Sequence, residues 1–169
     1  MPEMSINSLK SELTNVARSY LWELLIPSPI GDGGAKTILT RCMTTNIPGR
    51  SVGNIHVPYK QTAGLEFPGK LSYDHTLECT FIEGEDKETF NAFYSWAQAV
   101  VNDRQGTGSG SYSTDMYLSL ITRAGEEYHK LWFHDCYVDA ISQVPLDQGA
   151  DGEIRYTVTF RFNWWEDYT

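Results

Sequence analysis

The 169-residue chain carries 22 acidic against 13 basic residues, a formal net charge of −9, with 41% hydrophobic and 13% aromatic residues. That balance argues against a protein that grips nucleic-acid phosphates through clustered Lys and Arg, though not against one that lets nucleic acid pass unheld. The longest apolar stretch, YLWELLIP, is short and contains Glu23, and the polar N-terminus is no signal peptide, so a soluble cytoplasmic product with no membrane contact is expected. Length and composition fit a single domain over residues 1–169, with 1–17 read as an N-terminal arm. Cys42, Cys79 and Cys136 lie far apart without CxxC spacing and read as reduced thiols.

In chain order, RSYLWELLIP (18–27) alternates loosely and stops at Pro27, as a first strand would. SPIGDGG (28–34) is a turn-rich loop, and AKTILTRCMTTNIP (35–48) a second strand ended by Pro48-Gly49. Residues 51–84 contain two or three extended runs punctuated by Gly and Pro. In the last of these, Leu77, Cys79 and Phe81 share one face, opposite Thr76, Glu78 and Thr80. The period then changes once. Phe90, Phe93, Trp96 and Val100 recur at helical spacing, which predicts an amphipathic helix with Asp86 as N-cap and an aromatic stripe packed on the sheet. Residues 102–112, with their GTGSGS run, are flexible by composition. Strands follow near MYLSLITR and EYHKLWFHDCYVDAI, then the turn VPLDQGADG. In EIRYTVTFRFNWWEDYT, Ile154, Tyr156, Val158, Phe160, Phe162 and Trp164 occupy alternate positions, a half-buried strand. So long a strand placed last must pair either within the chain or with another copy.

Candidate chemistry is sparse. The GTGSGS run follows the helix and precedes a strand, the reverse of a phosphate-cradling loop. His129, His134, Asp135 and Cys136 cluster, but His129 and His134 have opposite strand parity. His134 and Cys136 would share a face, which supplies two ligands and no closed zinc site. His56 and His75 stand without a nearby carboxylate, and the clusters EGEDKE, GEE and WWEDYT read as solvated element ends. HExxH and P-loop patterns are absent, and neither catalytic residues nor a cofactor or metal is expected.

One helix, a Gly-rich tip and two strands, followed by LWFHDCYVDAISQVPLDQGADGEIRYTVTFRFNWWE, resemble the tail-tube protein of contractile-tailed bacteriophages. KTILTRCMTTNIPG looks like that family's strand closed by an apolar-Pro turn, and HTLECTFIEGEDKETFNAFYSWAQAVV like its strand-to-helix junction. The resemblance spans roughly residues 18–166; the N-terminal arm and the GTGSGS tip depart from the family's shortest members. It implies a mainly β subunit, sandwich or barrel-like, with one flanking helix, similar to tube subunits of type VI secretion and related injection machines. It further implies hexameric rings with sheets joined between copies, stacked into a tube in the virion tail and assembled in the host cytoplasm. Tail sheath and baseplate or tube-initiating proteins would be its partners, and DNA would traverse the lumen without specific binding. Glu78 and Thr80, in a strand pair over residues 65–81, are the positions expected to face that lumen. The alternatives are a tube-initiating or baseplate protein of the same fold, a tube subunit of a contractile injection system, and a lipocalin-like ligand-binding barrel. A hydrolase using His134 or His75 comes last.

Overall fold

The computed structural model describes residues 16–27, 41–60, 63–101, 112–149 and 152–168. Most of the predicted arm, the 28–34 loop, the first half of the second predicted strand and the GTGSGS run lie outside these residues. The described elements are β1 (Trp22–Leu25), β2 (Cys42–Thr45), β3 (Arg50–Val57), β4 (Leu65–Tyr73) and β5 (Thr76–Ile82). They continue with the helix α1 (Glu88–Val100), β6 (Thr114–Ile121), β7 (Glu127–Ile141), β8 (Arg155–Arg161) and β9 (Trp164–Tyr168). The fold is mainly β with one flanking helix among the described residues, as expected.

A seven-stranded antiparallel sheet runs β1-β6-β7-β8-β5-β2, with β9 also on β7, while β3 and β4 form a separate two-stranded ribbon. The final stretch therefore pairs inside its own chain. Arg161 lies opposite Tyr137 and Trp164 opposite His134, so β8 and β9 run end to end along one side of β7 with no register shift where they meet. β8 is flanked by β7 and β5 and is a central strand.

β7 reaches 15 residues because it serves both halves of the sheet, and a bulge lets it bend between them. Opposite β6, Thr114 faces Cys136 but Met116 faces Phe133, so two residues of β6 span three of β7. Asp135 takes up the extra length at φ 54°, a left-handed conformation that Asp tolerates better than most residues. Its amide donates to Asp115 Oδ1 at 3.1 Å, and its carboxylate accepts from Asn163 Nδ2 at 3.0 Å. The bulge reverses parity: Leu131 and Phe133 are buried before it, Cys136 and Val138 after it. His134 and Cys136 consequently point to opposite faces, which corrects the sequence expectation. The same corner corrects the terminal alternation. Tyr156, Val158, Phe160 and Phe162 are buried, but the chain bends at Asn163, leaving Trp164 46% exposed while Trp165 packs on the core. Ile154 is exposed as well, so the inward run is shorter than predicted.

α1 covers one face of the sheet. Phe93 and Trp96 are buried, and Phe90 and Val100 pack against the core half-exposed. The Phe93 ring lies 4.7 Å from Phe81 and 5.6 Å from Phe160, centroid to centroid, while Phe90 meets Tyr156 edge-on at 5.7 Å. Rings that bury this much area dominate core energetics. Leu77, Cys79 and Phe81 of β5 share the core face with them, opposite Glu78 and Thr80.

Candidate assembly surfaces

Residues 46–49 lead from β2 out of the body into β3, and β4 returns the chain to β5. The expected strand pair over 65–81 is thus two strands of different sheets: β4 pairs with β3, and β5 with β8 and β2. Asp74 and His75 break the run, where His75 bonds to the Phe162 carbonyl and redirects the chain. Nine residues of β4 at about 3.3 Å each make a ribbon about 30 Å long. The pairs Ile55–Phe67 and Val57–Leu65 place four apolar side chains on one face, each at least 43% exposed. On the other face, His56 Nδ1 meets Glu66 Oε1 at 2.6 Å. His56 therefore has the carboxylate partner that sequence distance concealed. Midway, Gly53 and Gly69 face each other so closely that a Cβ on Gly69 would stand 3.0 Å from the Gly53 backbone. A two-stranded ribbon uncovered on both faces is marginal in water. It is a surface that needs a partner.

The face of the sheet turned away from α1 is of a different kind. Glu78 and Thr80 of β5 lie opposite Thr159 and Thr157 of β8, with Thr44 of β2 opposite Thr80. Thr80 and Thr157 join hydroxyls at 3.2 Å. The arginines of this face are both engaged: Arg161 Nη2 donates to Asp139 Oδ2 at 3.1 Å, and Arg155 Nε to Glu153 Oε1 at 2.6 Å. Sheet edges complete the candidate surfaces, since β1 and β2 each end the ordered sheet with one side unpaired by any described strand.

An uncovered ribbon, a polar sheet face and open strand edges are the marks of a subunit, and the comparisons agree. Residues 3–167 match the phage tail tube protein family. The chain belongs to that family. No curated protein matches it in sequence. Among solved structures, the chain is similar to the tube-terminating cap of the anti-feeding prophage, at 13% identity and a TM-score of 0.68, with 91% of each chain covered. It is also similar to a chain of the sheath–tube complex of PVC, an extracellular contractile injection system, at 11% identity and TM-score 0.64, covering 98% and 99%. The tail tube of SPP1 follows at 11% identity and TM-score 0.51, covering 90% of this chain and 78% of that one. These likenesses share the fold. The tail tube protein is a structural subunit and not an enzyme.

The remaining polar features of this tail tube protein fit a structural reading. Glu83, read as a solvated element end, has a side chain only 6% exposed. It accepts the Phe90 amide at 2.7 Å and the Tyr156 hydroxyl at 3.1 Å, capping α1 from seven residues upstream. Lys87 occupies the N-cap position without a side-chain bond, and Asp86, the predicted cap, sits one residue earlier. Asp86 still accepts the Glu88 amide, and both its oxygens bind Arg41, at 2.8 and 2.6 Å. That bidentate bond from Arg41 holds the Asp86 carboxyl down to about 2. Arg41 also donates to the buried Thr89. No local pattern announces Glu83, since its role depends on where β5 delivers it.

His134 lies between the rings of Trp132 and Trp164, centroids at 4.2 and 4.6 Å, with Nε2 3.1 Å from Glu166. His129 meets Asp167 instead, on the opposite face. Burial pushes the Cys136 thiol up to about 12 and that of Cys79 well above its ordinary range, which suits packing and not nucleophilic or metal chemistry. Among the described residues no group of His, Cys, Asp or Glu could hold a metal, and no helix is long and apolar enough to cross a membrane.

Proposed function

We propose that this tail tube protein forms hexameric rings that stack into a tube, that DNA passes through the lumen at ejection, and that the Glu78–Thr80 face of the sheet lines that lumen. The observation that carries the reading is the β3–β4 ribbon, whose apolar side chains nothing in the described chain covers. A partner must supply that cover, and a second copy is the partner that a repeating assembly always provides. The open sides of β1 and β2, at opposite ends of the ordered sheet, suit strand addition between neighbours, which leaves no free edge in a closed ring. For the wall, a threonine-rich face whose arginines are already paired offers phosphates little to bind. Sheath and baseplate proteins are the proposed outer partners, as in the sheath–tube complex that the fold resembles, with assembly in the host cytoplasm.

Negative-stain images of the purified protein test the assembly. Rings or tubes are expected, if necessary with a nucleating partner; a strictly monomeric species with the nucleator present refutes it. Glu78→Lys with Thr80→Lys tests the wall: tubes should form, and DNA ejection should become slower and more salt-sensitive.

A further inference from the structure

We propose that Asp139 and Glu153 act as charge masks on Arg161 and Arg155, so that the face carrying Glu78 and Thr80 holds cations without presenting them to a polyanion. The inference rests on the lumen reading above for its purpose, but its physical content can be tested separately.

The arginines lie at the two ends of β8, on the face away from the core, with side chains 46% and 56% exposed. Unpaired, each would be an exposed guanidinium fork of the shape that phosphate binds bidentately. Each instead has a carboxylate at hand, and two different local devices put it there. Val138 pairs with Phe160 but Ala140 with Thr159, so Asp139 is the extra residue of a second bulge in β7. The bulge re-aims its side chain across the ladder, 3.1 Å from Arg161 Nη2. Glu153 stands two residues before Arg155, in the segment that enters β8, and receives both Nε and Nη2 of that guanidinium. Each pair sums to zero charge, so the face keeps its two arginines without presenting a free cation to phosphate.

The test compares Asp139→Asn and Glu153→Gln with wild-type protein in fluorescence anisotropy titrations of a 20-base-pair DNA duplex, between 50 and 200 mM salt. Each freed arginine should tighten binding several-fold at low salt and steepen the log–log salt slope by about 0.9, one phosphate contact. Asp139→Asn combined with Arg161→Gln should return to wild type. Glu126→Gln, which removes the same charge from an exposed site on another surface, should leave the slope unchanged. If Asp139→Asn and Glu153→Gln, folded by circular dichroism, bind DNA no better than Glu126→Gln, the masks are refuted. The purpose is tested in particles built from Asp139→Asn, where ejection should slow and gain salt dependence. Gained binding by the free subunit with unchanged ejection supports the masks and overturns the lumen placement instead.

Discussion

The body of the sheet and the β3–β4 ribbon use the same strand alternation, and they differ in what stands opposite the apolar side. In the body, Phe81, Phe160 and Tyr156 meet Phe93, Trp96 and Phe90 of α1, and the core closes on itself. In the ribbon, Ile55, Val57, Leu65 and Phe67 meet only one another across the strand pair and stay about half exposed. The contrast separates two kinds of stability. One region is secured by its own folding, and the other, on the proposed assembly, by a partner.

The sharpest way to break the contrast is to hollow the body. Phe93→Ala removes a fully buried ring and should cost about 3–5 kcal/mol, read as a lower denaturation midpoint or protease-sensitive chain. Removing the helix cap should cost less: Glu83→Ala frees the Phe90 amide and the Tyr156 hydroxyl, and a loss of about 1–2 kcal/mol in urea unfolding is expected. Asp86 adds a pH signature to the same corner. Its folded value is depressed from 3.8 to about 2, so the stability it contributes is present above pH 4 and fades as pH falls towards 2. Asp86→Asn should flatten that acid limb in thermal melts taken from pH 5 to pH 2. The smallest effect on the subunit belongs to the ribbon. Phe67→Ser should change monomer stability by less than about 1 kcal/mol, the scale of one cross-strand pair, yet abolish tubes in electron micrographs. A large loss of monomer stability with tubes intact would invert the contrast.

Much of the body was legible because alternation and helical spacing report directly on burial. Leu77, Cys79 and Phe81 on one face of β5, and Phe93 with Trp96 on α1, could be read from spacing alone. Parity fails where one residue is added without changing the pattern's appearance. Asp135 looks like any polar alternate, but its left-handed backbone turns Cys136 inward and leaves His134 outside. Long-range partners were equally hidden. The bond between His56 and Glu66 depends on ribbon register, and Glu83 reaches the Phe90 amide only because β5 ends beside α1. Apolar alternation in β3 and β4 says that a face wants cover, and not whether the same molecule provides it.

The central place of β8 has a consequence in time. Of the strands along the ordered sheet it is the last to leave the ribosome, yet it joins β5 to β7. Until it is made, β2 and β5 form one fragment and β1, β6 and β7 another, with no strand connecting them. A nascent chain therefore cannot present the edges of β1 and β2 in their final relation. If those edges join neighbouring copies, as proposed, the subunit becomes competent to assemble only when β8 links the two halves of the sheet.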